Sequence, residues 1–360
     1  MSENNEIFLP LVMNGEDEMT DRKRLPKGKG WFIWVISETM DGDPVEIAKF
    51  AKDNGFGHLL FHIHNGYQNE LQVLGGADLT PFIQEANKLG IECWAWGAVY
   101  GLSWSTGADN VISAFRKYPE LVGYIIDAEA GFKGYYAEAT NLMRKLRANL
   151  PNIPMGLSSY RYPAYHQALP WKEFREQCDF DMPQVYWEQD FRDNAGSEQL
   201  SNSYADFQRM TPKLPYIPTG TAYKVGSWSS TAKQVEGFIN RAKELKCYGI
   251  NFWVWYQSQR DLPNTFETIR SDKVFSVATP PTPPTEPEPP TNEVILPKLK
   301  VLRFVYIRPE PRTNIKETGN YNAGDIIDVL EIKPINQLSV WVRTDKGWSA
   351  VVHYGIRYME

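Results

Sequence analysis

The sequence predicts an α/β chain: a (β/α)8 TIM barrel followed by a small all-β antiparallel barrel. Three observations predict the division and the class. From Gly30 onward, apolar runs and helical-period segments alternate at intervals of roughly thirty residues, the length of one strand, one helix and their connections. The apolar runs are nearly continuous, as strands covered on both faces require. Between Thr279 and Pro290 the chain reads TPPTPPTEPEPP, which cannot pack a core and favours an extended polyproline conformation of roughly 35–40 Å at most.

Taken in order, residues 1–29 run from a short apolar patch into the polar stretch DEMTDRKRLPKGKG and read as a loosely held arm. The first strand is GWFIWVIS from Gly30. Asp43 and Pro44 then open a helix that carries Ile47, Phe50 and Ala51 on one face and closes at Asn54-Gly55. The second strand is HLLFHIHNG from His58, followed by a helix over Leu79 to Leu89 with Phe82, Ile83 and Ala86 at helical spacing. ECWAWGAVYG from Glu92 is the third strand and LVGYIIDAEAG from Leu121 the fourth. Tyr136, Ala139, Met143, Leu146 and Leu150 form one continuous helical face after it, stopped by Pro151. The fifth to eighth strands are PMGLSSY from Pro154, FDMPQVYW from Phe180, YIPTGTAY from Tyr216 and GINFWVWY from Gly249. The barrel thus occupies 30–275, a proline-rich linker 276–297, and a strand-rich module 298–360.

Composition excludes several classes of function. A formal net charge of -6 without a basic block removes the footprint of a nucleic-acid binder or a peripheral membrane protein. No stretch is long enough to span a membrane. Three scattered cysteines, Cys93, Cys178 and Cys247, make neither a disulfide framework nor a zinc spacing and read as buried thiols. The N-terminus lacks a classical secretory signal, so synthesis in the cytoplasm is expected. A monomer is expected as well. No nucleotide-binding or serine-hydrolase motif occurs, and His62 and His64 read as polar core or substrate contacts, so neither a cofactor nor a metal is called for.

The chemistry converges on the fourth strand, whose apolar run ends abruptly in Asp127 and Glu129. Residues two apart on a strand share a face, which puts the two acids about 6–7 Å apart along the backbone. In a barrel of this class they fall at the C-terminal mouth, where sites lie. Paired carboxylates there suit glycosidic bond cleavage, one donating a proton and the other supporting the reacting centre. The proton is expected on Glu129, which lies further toward the mouth. Other strand ends supply aromatic and amide groups fit for a sugar ring: Trp96, Tyr160, Gln184, Trp187, Tyr223, Trp253 and Trp255 as substrate contacts, with Tyr186 placed to assist catalysis.

The order of a strand, YIIDAEAG, a helix, the strand MPQVY and an aromatic last strand FWVWY resembles the family 25 lysozyme-like glycoside hydrolases. That resemblance implies a barrel cleaving the β-1,4 bond of peptidoglycan, with Glu129 as general acid and Asp127 as its partner. The Tyr186 strand is similar to the M-x-Y pattern of family 18 chitinases, which implies a tyrosine assisting attack by the substrate's own acetamido group. Lys300 to Met359 resembles a bacterial SH3-like cell-wall-binding domain, through YIRPEPRTNIKETGNYNAGDIIDVLE and WVRTDKGW. This resemblance implies a cell-wall peptide or glycan as the module's partner, and the whole layout that of a phage or bacterial cell-wall lysin, released or delivered to the wall. Two rivals stay open. One is a non-catalytic carbohydrate-binding virion or surface protein, suggested by the absence of an acid in WFIWVIS; the other is a glycosidase of a different polysaccharide.

Overall fold

The computed structural model describes residues 24–68, 78–276, 298–312, 315–336, 339–353 and 356–359, so residues 1–23 of the N-terminal arm and 277–297 of the linker lie outside the described residues. The chain divides into two compact units, 1–280 and 281–360.

In the first unit the apolar runs become parallel strands: β1 (Gly28–Ile33), β2 (Phe56–Asn65), β3 (Glu92–Val99), β4 (Tyr124–Ala128), β5 (Met155–Ser158), β6 (Phe180–Asp181) and β7 (Thr219–Thr221). After a short hairpin formed by β8 (Lys224–Val225) and β9 (Trp228–Ser229), β10 (Gly249–Trp253) is the eighth barrel strand. Hydrogen-bonded neighbours run in the order β6-β5-β4-β3-β2-β1-β10-β7. Parallel bridges Asp181 to Tyr216 and Gln184 to Thr219 join the two ends of that series, closing a (β/α)8 barrel. Strands six and seven are shorter than their apolar runs because Pro183, Pro215 and Pro218 have no N–H for the ladder.

Strand alternation separates two cores. Phe32, Leu60, Trp94, Trp96, Ile125, Phe180, Met182 and Ile217 fill the barrel interior. Their neighbours Trp31, Ile33, Cys93, Ala95, Tyr124, Ile126, Ile250 and Phe252 face the helices instead. Gly123, before β4, makes room for this filling, since a Cβ there would overlap the Trp94 ring. The outer layer contains α1 (Pro44–Asp53), α2 (Thr80–Lys88), α3 (Trp104–Lys117), α4 (Tyr136–Asn149), α5 (Trp171–Arg175), α6 (Ala195–Phe207), α7 (Ala232–Glu244), α8 (Trp255–Asp261) and α9 (Pro263–Ser271). Asp43 caps α1 by accepting from the amides of Val45 and Glu46, and Thr231 with Gln234 forms a capping box on α7.

Two polar devices tie the barrel together. The strand starts two residues before Gly30, so Lys29 belongs to it; its side chain is buried and donates to the carbonyls of Ile269, Arg270 and Asp272 at 2.8, 2.9 and 2.8 Å, capping α9. Burial lowers its pKa to about 8. Arg175 of α5 grips Asp181 of β6 through two hydrogen bonds of 2.8 Å, both side chains being almost fully buried. Removing one partner strands the other charge, so Arg175→Met should cost about 3–5 kcal/mol in chemical denaturation. A loss below about 1 kcal/mol would show that water reaches Asp181 and hydrates it.

In the second unit, β11 (Lys298–Lys300) pairs with β14 (Ile326–Asp328), β12 (Val305–Ile307) with β13 (Gly319–Tyr321), and β15 (Glu331–Asn336), β16 (Ser339–Thr344), β17 (Gly347–His353) and β18 (Ile356–Arg357) form one antiparallel sheet. Val301, Val305, Ile307, Tyr321, Ile327, Trp341 and Val342 supply its core.

Candidate active site

Strand alternation carries a side chain from the packed interior to the barrel mouth. On β4, Ile125 is interior packing and Asp127, two residues on, is the next inward residue above it. Register puts Asp127 beside Ala98 of β3 and Ser158 of β5. Tyr160 bridges to Gln184, so Ser158, Tyr160, Gln184 and Tyr186 rise on adjacent elements. Phe32, Trp96, Asp127, Glu129, Ser158, Gln184, Tyr186 and Trp253 together line a cavity of about 150 Å³.

The two carboxylates are closer than their backbone spacing suggests. The Gln184 amide nitrogen donates to Asp127 Oδ1 and Glu129 Oε1, both at 2.9 Å, and the acids also share a hydrogen bond with each other. Burial first, then the Glu129 charge and that shared hydrogen bond, raise the Asp127 pKa well above the usual carboxylate range, while Gln184 opposes the shift. The pair therefore retains one proton across that shared hydrogen bond, with Glu129 the exposed member and Asp127 the desolvated one. Two acids in mutual hydrogen bond lie inside the roughly 5–5.5 Å of a nucleophile pair and the 6.5–9.5 Å of a pair that admits water.

Tyr186 is held edge-on to Tyr223, with ring centroids 5.6 Å apart. Burial, with the Tyr223, Asp127 and Glu129 charges adding to it, keeps its phenol protonated far above neutral pH, so it faces the cavity as a donor. Trp96 and Trp253 meet edge-to-face at 5.2 Å and wall the cavity. Tyr160 and Gln184 line a neighbouring cavity that also contains Tyr186.

Three expected substrate contacts stand elsewhere. Trp187 alternates to the outer face of its strand, fully buried, donating to Gln234 Oε1 at 3.0 Å and packing on Phe238. Trp255 is fully buried too, because β10 ends at Trp253 and α8 begins at Trp255, which turns that indole onto Trp31 and Phe50. Tyr223 stands one ring behind the carboxylate cavity, bracing Tyr186 and donating to Glu188 Oε2 at 3.0 Å. His62 stacks on Trp96 at 4.1 Å and His64 bonds the Tyr124 hydroxyl at 2.7 Å; burial lowers their pKa values to about 4 and about 3. Among the described residues, no group of three or more potential ligands could hold a metal ion, and no helix is long and apolar enough to cross a membrane.

Sequence reasoning missed Phe32, Ser158, Trp34 and Arg161. Two-residue spacing could have found the first three, since Phe32 and Trp34 share a face, as do Ser158 and Tyr160. Trp34 is 41% exposed, 5.7 Å from Trp253. Arg161 carried no comparable signal.

The fold is that of other solved (β/α)8 barrels. The solved structures it resembles include active domain 2 of a thermostable chitinase from Pyrococcus furiosus, whose mutants were complexed with chito-oligosaccharides, at a TM-score of 0.51 and 13% identity over 64% of this chain and 84% of that one. They also include the glycoside hydrolase domain of PgaB (BpsB) from Bordetella bronchiseptica, at 0.49 and 10% over 70% and 100%. The spore cortex-lytic enzyme SleL from Bacillus megaterium scores 0.46 at 12% identity over 68% and 74%. At these identities the likeness is one of fold. No family model matches the chain, and no curated protein matches it in sequence.

Proposed function

We propose that the chain is a glycoside hydrolase acting on an N-acetylated glycan, and that the glycan is peptidoglycan. The observation that carries the reading is the Asp127–Glu129 pair, clamped by Gln184 and facing Tyr186 in one cavity. A pair this close leaves no room for a sugar carbon or a water between its members, so the attacking atom has to come from the substrate. An acetamido oxygen on the sugar beside the scissile bond is such an atom.

In this mechanism Glu129, exposed at the mouth, passes the proton it shares with Asp127 to the departing glycosidic oxygen. The acetamido oxygen attacks the anomeric carbon as that bond breaks, Asp127 holds the amide nitrogen, and the Tyr186 hydroxyl donates to the amide oxygen. Water then opens the cyclic intermediate with Glu129 as base. Trp96 and Trp253 offer flat apolar area to the sugar ring. The fold is shared with a chitinase that takes chito-oligosaccharides, which supports the substrate class by analogy.

The second unit fits the role of an anchor of SH3-like type. Phe304, Tyr306, Arg308, Trp341 and Tyr358 line a cavity of about 220 Å³ there, and Phe304 and Tyr306 are each nearly half exposed. An anchor makes the second contact with the wall intramolecular. Removing residues 281–360 should therefore leave turnover of soluble N-acetylated oligosaccharides within about two-fold while lowering activity on intact walls by about ten-fold or more. Equal loss on both substrates would show that the second unit stabilises the barrel instead, and a full-length chain releasing no reducing ends from either would remove the hydrolase reading.

A further inference from the structure

Next to the carboxylate cavity, and sharing Gln184 and Tyr186 with it, lies a second of about 410 Å³ whose remaining lining is Tyr160, Arg161, Tyr162, Tyr165, His166 and Glu188. Part of its wall is a stacked pair, the Tyr160 and His166 rings being 3.6 Å apart and nearly parallel. Lys133 stands behind that pair, its Nζ 4.8 Å over the Tyr160 ring and 3.1 Å from His166 Nδ1. With the ammonium as donor, the imidazole accepts and is neutral; burial, then Lys133 and Arg161, all lower its pKa. The Arg161 guanidinium lies 5.1 Å from the Tyr162 ring centre, and its Nε is buried with no hydrogen-bond partner.

Among the described residues, neither Lys133 nor Arg161 forms an ion pair, although other basic side chains of the barrel do, Arg24, Arg147 and Arg175 among them. Glu188, the acid of this cavity, instead accepts from Tyr223. A buried guanidinium nitrogen without a partner is costly unless something bound satisfies it. Arginine beside an aromatic wall is also the side chain best shaped to receive a carboxylate on a ring-shaped ligand.

We propose that this second cavity is a subsite for an acidic sugar, whose carboxylate is bound by Arg161 with Lys133 adding positive potential behind the Tyr160–His166 wall. The proposal rests on the glycan-binding reading of the mouth and adds that the glycan is charged one position away from the scissile bond. The carboxylate could be a lactyl ether on an N-acetylhexosamine or the ring carboxylate of a uronic acid; both present the same group to Arg161.

The test is calorimetric binding to the full-length Glu129→Gln chain, which leaves the glycan intact. Three tetrasaccharides are compared: the neutral N-acetylglucosamine tetramer, one alternating N-acetylglucosamine with N-acetylmuramic acid, and one alternating it with glucuronic acid. One acidic tetramer should bind about ten-fold or more tightly than the neutral one, the share of one hydrogen bond to a charged group, and its identity names the source of the carboxylate. Adding Arg161→Gln should abolish that preference while leaving neutral binding unchanged, which also shows that the variant is folded; Arg161→Lys should keep part of it. Equal affinity for all three, no binding of any, or a preference that survives both Arg161→Gln and Lys133→Gln would overturn the proposal. A wild type that prefers acidic tetramers yet cleaves none would sink the hydrolase reading and leave the subsite standing, whereas cleavage without preference would do the reverse.

Discussion

Glu129→Gln should lower turnover of an N-acetylated oligosaccharide by a factor of order 10²–10⁴, the usual share of general acid catalysis, while glycan binding stays within a few-fold of wild type. The substitution keeps the shape of the side chain and its place beside Gln184, and removes only the ionisable proton. Glu129 is the exposed acid of the pair, so it is the member a glycosidic oxygen can reach. Wild-type turnover in this variant would remove Glu129 from the chemistry.

Asp127→Asn should slow turnover by a comparable factor and change two pH dependences. In the wild type, losing the last proton of the pair leaves two adjacent negative charges in a desolvated wall, so that proton is held to high pH. With an amide at 127 that penalty is gone, so the alkaline limb of kcat/KM moves to lower pH. Stability shifts in the opposite sense. Because the folded-state pKa of Asp127 lies above its unfolded value, the folded chain binds more protons between the two, and wild-type stability falls as pH rises through that window. Asp127→Asn escapes the loss: it should melt above wild type at pH 7, with the gap closing below about pH 4. An unmoved alkaline limb together with an unchanged melting temperature at pH 7 would mean that Asp127 is ionised and solvated.

The barrel was legible because its signals are local and repeated: eight apolar runs, the Asp43–Pro44 helix start, and the stripe Ala139, Met143 and Leu146 appear where expected, while Tyr136, read on the same stripe, is exposed. The carboxylate pair was legible for the same reason, an acid two residues beyond another at the end of an apolar strand. Less legible was anything set by where a strand stops. Trp187 and Trp255 look like mouth residues in a string of aromatics, yet one lies on the opposite face from Tyr186 and the other begins a helix. How firmly the pair holds its proton was not legible, because distance along the strand says where an acid points and nothing of how much wall surrounds it. Arg161 was invisible for a further reason: an arginine in a loop is ordinarily a solvated one, and its unpartnered buried Nε and its place against the Tyr162 ring emerge only in the fold.

The claim on which the rest depends is that the attacking group belongs to the substrate. The most direct measurement compares the wild-type kcat/KM for an N-acetylglucosamine oligomer with that for the same oligomer carrying a free amine on the sugar beside the scissile bond. Cleavage of the first and a loss of order 10²-fold or more for the second are expected, since the amine cannot form the cyclic intermediate. Equal rates for the two oligomers would contradict it and return the nucleophile to the protein or to water.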